Sequence, residues 1–145
     1  MTAALFTIRP FADADEQAVV DLWGRCDLLR PWNDPRKDIA RKRRAQPELF
    51  LVAVADDGAT ITGTVMAGYD GHRGWINYLA TEPVHRRQGI GRALMREAEA
   101  ALARLGCAKV NLQIRHDNRD AIAFYQRIGF REDAVVSMGK RLETD

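Results

Sequence analysis

The residues best suited to chemistry lie in one stretch, Arg86-Arg87-Gln88-Gly89-Ile90-Gly91-Arg92-Ala93. Two glycines one residue apart sit among arginines, between an apolar run and a long amphipathic segment. The apolar run, Trp75 to Thr81, stops at Glu82-Pro83, since the residue before a proline is pushed out of helical geometry. A helix that starts beside Gly89 leaves its first backbone N–H groups without intrahelical partners. At Gly89 and Gly91 no side-chain carbon keeps an anion away from those donors. The positive end of the helix dipole adds attraction. The arrangement suits a pyrophosphate.

Spacing narrows the ligand. A P-loop needs Gly-x-x-x-x-Gly-Lys-Ser/Thr, a string this chain lacks. A dinucleotide fingerprint needs a third glycine three residues after the second, where Leu94 stands. A second group of polar and aromatic residues follows one strand and one helix later: Asn118, Ala121, Tyr125, Gly129 and Phe130. Taken alone, Tyr125 reads as an aromatic core contact on a helix.

The elements that must position these residues are legible from periodicity. Phe6 to Arg9 is a short strand ending at Pro10. Asp13 with Glu16 resembles a capping box ahead of Ala18, Val19, Leu22, Trp23 and Cys26 at helical spacing. Asp34-Pro35 opens a second helix that should end near Gln46-Pro47. Leu49–Ala55 and Thr60–Tyr69 form a hairpin across Asp56-Asp57-Gly58, and Trp75–Thr81 is the next strand. The helix from Gly89 to Leu105 aligns Ile90, Leu94, Ala98, Ala101 and Leu105, with Gly106 as its cap. Lys109–Ile114 alternates as a strand. Asp117 or Asn118 then caps a helix bearing Ala121, Ile122, Tyr125 and Ile128, and a last strand fits near Ala134–Met138. The expected order is β-α-α-β-β-β-α-β-α-β, an α/β fold with a mixed sheet.

Size and composition set the bounds. A chain of 145 residues makes one domain with a single sheet-plus-helix core. Its 46% hydrophobic and 29% charged residues are ordinary for a soluble globule. A net charge of +2 gives no general case for nucleic acid or membrane. No apolar run approaches the ~20 residues of a membrane span, and Met1-Thr2-Ala3-Ala4 lacks the charge and core of a signal peptide. Cys26 and Cys107 read as buried thiols of a reducing compartment, so a cytoplasmic protein is expected. His72, His85 and His116 lack ligand spacing, and no metal is expected.

With both groups in view, the chain resembles the GNAT acetyltransferases. Arg86-x-x-Gly89-x-Gly91 is similar to their Arg/Gln-x-x-Gly-x-Gly/Ala signature, and Asn118-x-x-Ala121-x-x-x-Tyr125-x-x-x-Gly129-Phe130 to their C-terminal one. The resemblance implies an N-acetyltransferase fold over residues 1–145, with acetyl-CoA as cosubstrate and a primary amine attacking the thioester directly. It assigns the main chain of Leu79, Ala80 and Thr81 to the pantetheine arm and acetyl carbonyl. Arg86, Arg87, Gln88, Gly89, Ile90, Gly91 and Arg92 would surround the pyrophosphate, and Asn118 would bond the coenzyme near its pantetheine or thioester end. Tyr125 would donate a proton to the departing thiolate, work for which a phenol of ordinary pKa near 10 is suited. A homodimer fits the family. A binding module or sensor with the same fold and little turnover is the alternative.

The chain departs from some relatives where a base should be. Certain protein-amino-terminal acetyltransferases of the family carry a Glu on the strand before the Asn-x-x-Ala motif; here that point is Gln113, which cannot take a proton. Asp70, Glu82, Asp27 or a water chain are the alternatives. The connections Arg25–Asp34 and Tyr69–Gly74 are candidate acceptor loops, from which Asp27, Trp32 and Asp70 would hold a cationic amine. Equally, Asn33-Asp34 reads as a helix cap and Gly71/Gly74 as hairpin residues. Arg36, Lys37, Arg41, Lys42, Arg43 and Arg44 read as a solvated helix face rather than an RNA site.

Overall fold

The computed structural model describes residues 5–145, so the reading of Met1–Ala4 lies outside it. Five strands make one sheet in chain order: β1 (Phe6–Pro10), β2 (Phe50–Ala55), β3 (Ile61–Tyr69), β4 (Gly74–Thr81) and β5 (Val110–Leu112). Neighbours from β1 to β4 are antiparallel; β4 and β5 are parallel. The helices are α1 (Glu16–Arg25), α2 (Pro35–Lys42), α3 (Ile90–Arg104) and α4 (Arg119–Arg127).

β2 is apolar throughout because both its faces are covered. Leu51 and Ala53 enter one apolar cluster with α3, while Phe50, Val52 and Val54 enter another with α1 and α2. Burial of side chains on both faces is what a continuous hydrophobic run signals. α3 buries Ile90, Leu94, Met95, Ala98 and Leu102. The stripe therefore rotates onto Met95 and Leu102, while Leu105, which follows the last helical residue, is exposed.

The close seat of α3 depends on Gly63 in β3. A Cβ there would stand 2.7 Å from Ile90 Cγ2, 2.9 Å from Leu94 Cδ1 and 3.0 Å from the Ala80 carbonyl oxygen. Only glycine lets the start of α3 lie this near the sheet.

Several boundaries differ from expectation. Asp13 does not cap α1; it opens a 3-10 turn and pairs with Arg43, while Asp15 accepts from the Ala12 N–H at 2.8 Å. α2 stops at Lys42, short of Pro47, and the chain turns back through Gln46 in left-handed geometry. β5 is only three residues long.

The expected strand at Ala134–Met138 does not form. Its segment meets β5 through side chains, Asp133 with Lys109 and Asn111, and Gln113 with Ser137. So short a strand offers little backbone ladder to extend. Val135, Val136 and Met138 remain exposed. The tail then crosses to α2, where Asp145 pairs with Arg41 and accepts from the Asp34 N–H.

Two outcomes follow from the packing. Gly63→Ala should cost about 1–3 kcal/mol through overpacking against Ile90 and the Ala80 carbonyl; chemical denaturation measures it. Asp15 receives two bonds from Arg9, which together with the Ala12 N–H hold its carboxyl below the usual range. With the folded pKa depressed, the stabilisation is complete above the unfolded pKa of about 3.9 and fades as pH falls through the folded value. Asp15→Asn should therefore lower the melting temperature at pH 7, with the gap to wild type narrowing below about pH 4.

Candidate active site

β4 and β5 part company early. Their ladder covers Gly74, Trp75 and Ile76 against Val110, Asn111 and Leu112, then stops. Just beyond, β4 bulges: Met66 faces Asn77 and Thr64 faces Ala80, so Tyr78 and Leu79 together oppose Val65. Tyr78 takes a φ of 53°, left-handed geometry that costs a bulky residue roughly 1–2 kcal/mol. Three contacts hold it there. Thr64 Oγ1 donates to its carbonyl at 2.8 Å, Trp23 stacks on its ring at 3.8 Å, and its hydroxyl donates to Asp38 at 2.6 Å. Thr64 in turn accepts from the buried Trp23 indole at 2.9 Å.

Between the diverging strands lies a cleft of about 1090 Å³. Ile76, Asn77, Tyr78 and Leu79 form one wall; Leu112, Gln113, Ile114 and Arg115 form the other. α4 contributes Asn118, Ala121 and Tyr125. Asn118 caps α4, its side-chain oxygen accepting from the Ala121 N–H at 3.2 Å, which leaves its amide NH2 for a ligand. Tyr125 packs edge-on against Phe124 and Phe130. Burial pushes its phenol up to about 12, so it holds its proton throughout the neutral range.

The glycine turn adjoins this cleft. Gly89 has φ 82° and Arg87 φ 70°, and α3 begins at Ile90. The backbone N–H groups of Arg87 through Arg92 donate to no protein acceptor among the described residues. A Cβ on Gly91 would lie 3.4 Å from Phe124 Cζ and 3.5 Å from Thr81 Oγ1, so the turn touches both β4 and α4. Apart from its chain neighbours, no heavy atom of the described residues lies within 4 Å of where a Cβ on Gly89 would stand. A row of unpaired donors over open space fits the pyrophosphate that the spacing suggests. The residues present fit coenzyme A.

The far end of the cleft is formed by the α1–α2 connection and α2. Asp27 and Trp32 both line it, Asp27 nearly fully exposed and in left-handed geometry. The Arg115 guanidinium lies 5.5 Å from the Trp32 ring centroid. Lys42 also faces the cleft; it donates to the Ala67 carbonyl, and burial holds its ammonium below the usual lysine range.

Leu79, Asn118, Tyr125, Asp27 and Trp32 are thus brought to one cleft. Asp70 is not. It sits at the opposite end of the β3–β4 hairpin, where it accepts from the His72 and Arg73 N–H groups. These bonds, with that from Trp75, hold its carboxyl below the usual range, and it serves as a turn residue. Glu82 is bound by Arg25 through three contacts and is absent from the cleft lining. Cys26 and Cys107 are half-buried rather than buried; the Cys26 thiol donates to the Thr81 carbonyl at 3.3 Å. The basic run on α2 is partly paired: Arg36 with Glu16, Arg41 with Asp38 and Asp145, Arg43 with Asp13. Lys37 and Arg44 have no ion-pair partner among the described residues, so the run is a solvated face with half its cations paired. Sequence reasoning missed Tyr78, Asp38 and Arg115 in the lining. The only local signal was an Asp38–Arg41 spacing that reads as a helix-surface pair.

No described helix is long and apolar enough to cross a membrane. The Acetyltransferase (GNAT) family model matches residues 16–130. The chain is 46% identical over 139 residues to "Acetyltransferase SG1711" of Sodalis glossinidius (strain morsitans), covering 95% of this chain and 96% of the relative. Among solved structures, Ard1 from Thermoplasma volcanium superposes with a TM-score of 0.72 at 25% identity, over 90% of this chain and 85% of that one. The ribosomal-protein-S18-alanine N-acetyltransferase from Escherichia coli gives a TM-score of 0.72 at 25% identity, over 89% and 79%. The parted strands, the donor row and these likenesses agree: the chain belongs to the GNAT family of N-acetyltransferases, enzymes that move an acyl group from acyl-coenzyme A to an amine.

Proposed function

We propose that this protein is a cytoplasmic acetyl-CoA-dependent N-acetyltransferase in which a primary amine attacks the thioester directly. The observation that carries this reading is the placement of Tyr125 and Asn118 on the wall of the β4–β5 cleft, next to the unpaired N–H row at the start of α3. The backbone of Arg87 to Arg92, with Arg86 beside it, holds the pyrophosphate, and β4 past its bulge, from Leu79 to Thr81, pairs with the pantetheine arm. A fixed β4 N–H facing the acetyl carbonyl stabilises the developing oxyanion, a contribution worth ~3 kcal/mol where one such donor is removed. The Asn118 amide steadies the arm near the thioester. Tyr125, protonated at neutral pH, supplies the proton that the departing thiolate needs. Asp27 and Trp32, at the other end of the cleft, are positioned to meet the amine.

Gln113 favours one other reading, a coenzyme-binding sensor, since the wall it occupies carries no carboxylate there. An enzyme releases free thiol from acetyl-CoA only when an amine is supplied; a sensor is stabilised by the coenzyme without that release. Tyr125→Phe keeps the ring packed against Phe130 and should lower kcat by ~10²-fold with little change in the KM for acetyl-CoA. An unchanged kcat would remove Tyr125 from the chemistry. Gly89→Ala places a methyl where the anion approaches and strains a φ of 82°. It should weaken coenzyme A binding by ~10-fold or more, about 1.4 kcal/mol, in calorimetry; wild-type affinity would dismiss the turn as the pyrophosphate site.

A further inference from the structure

The proposed transfer leaves one proton unassigned, because the attacking amine must be neutral and a primary ammonium is mostly charged at pH 7. Gln113 cannot take that proton, Asp70 lies outside the cleft, and Glu82 is bound by Arg25. Asp27 and Asp117, the other acids lining the cleft, are exposed, and Asp27 is paired with Arg30 at 3.6 Å. One hydrogen-bonded pair does line the cleft. Tyr78, on β4 directly before Leu79, donates its hydroxyl to Asp38 Oδ2 at 2.6 Å, and both residues face the cavity that Tyr125 faces.

The geometry points to Tyr78 and Asp38 as a proton relay that receives the acceptor amine's proton, a role that rests on the transferase reading above. The amine N–H donates to the Tyr78 oxygen, which takes the proton as its own hydrogen passes to Asp38 Oδ2. The nitrogen lone pair then forms the bond to the acetyl carbon, and the carbon–sulfur bond breaks. The sulfur takes a proton from Tyr125, the second proton of the nitrogen, made acidic by bonding to the acetyl carbon, restores the Tyr125 phenol, and Asp38 returns its proton to water. Of the two protons the ammonium loses, one reaches water and one is accounted for by the thiol, so the transfer balances.

The surroundings suit this role. Asp38 Oδ1 accepts from Arg41 at 2.8 Å, and Arg41 also grips Asp145 at 2.5 Å. Two carboxylates therefore share one guanidinium. When Asp38 takes the proton, Arg41 keeps Asp145 as an anionic partner. Asn33 lies beside the Tyr78 hydroxyl, and Asp27, Arg30, Lys42, Arg115 and Asp117 are the other charged side chains lining the cleft. Burial, followed by the bond to Asp38, raises the Tyr78 phenol well above its ordinary value, so it acts as a neutral carrier and not as a phenolate. Its left-handed backbone sets the hydroxyl at this place, and strain of this kind gathers at functional sites.

Tyr78→Phe tests the relay because the stack on Trp23 and the Thr64 bond to the carbonyl both survive. Thiol release from acetyl-CoA is followed with four acceptors: a free amino acid, a peptide with a free amino terminus, a lysine-containing peptide and an amino sugar. With any acceptor the wild type uses, Tyr78→Phe should bind coenzyme A with unchanged affinity and show a kcat lowered ~10²-fold at pH 7. That deficit should shrink as pH rises toward 10, where the amine arrives already neutral. Asp38→Asn should share the deficit and Asp38→Glu recover part of it. A deficit constant across pH, or no deficit, overturns the relay and leaves the transferase intact. Absence of amine-dependent release by the wild type with every acceptor overturns the transferase reading and the relay with it.

Discussion

The structure turns on the bulge at Tyr78. A strand interior is a costly place for an aromatic residue in left-handed geometry, roughly 1–2 kcal/mol against it. Here the cost is met from three directions, by a hydrogen bond to the carbonyl, a stacked indole and a bond from the hydroxyl to a carboxylate. Two of these trace to Trp23, whose indole N–H also fixes Thr64. The helix that carries Trp23 thereby dictates the path of a strand 55 positions further along, and β5 no longer follows β4 beyond Ile76. The cleft exists because the extra residue in β4 coincides with the end of that ladder.

What fills such a gap is decided by α3. Gly63 lets Ile90 and Leu94 settle onto β3 and β4, so the start of the helix comes level with the parted strands. Its unpaired N–H groups cost little while they face water, and they become a fixed set of donors when an anion replaces that water. The work is divided. On the proposed reading, backbone would hold the charged end of the ligand, where glycine matters more than any particular side chain. Side chains from α4, β4 and α2 line the other part of the cleft, where residue identity would govern proton transfer.

Much of this was legible in the chain. Glycine spacing after a proline break marked the anion turn, and the 3.6-residue repeat marked α3, because both are local signals. The hairpin at Asp57-Gly58 was equally local; Asp57 accepts from the Ala59 and Thr60 N–H groups. The bulge was not legible, since Trp75–Thr81 reads as an ordinary apolar strand and its distortion comes from Trp23 and Thr64, distant in sequence. Asp70 misled for a related reason. An acidic residue beside glycines suits both a turn and an amine site, and only the topology places it at the wrong end of the hairpin. The segment Ala134–Met138 had strand-like composition, yet strands need a partner, and three residues of β5 do not supply a continuing one.

The basic run of α2 shows how pairing changes the meaning of charge. Read along the chain, six cations in nine positions suggest a surface for polyanions. In the fold, Arg36 and Arg43 are drawn to acidic residues around the start of α1, and Arg41 lies between Asp38 and Asp145. The field of those three cations is partly cancelled within a few ångströms, which weakens counterion release, the force behind nucleic-acid binding. The same pairing fixes Asp38 against the cleft. With the opposite wall carrying an amide at Gln113, tied to Ser137, the carboxylates lining the cleft are Asp27 and Asp38 on the α1–α2 side and Asp117 ahead of α4, interspersed with Arg30, Arg41, Lys42 and Arg115. On the proposed reading, an amine entering there would meet carboxylates on the α1–α2 side and an amide at Gln113, where some relatives carry a glutamate.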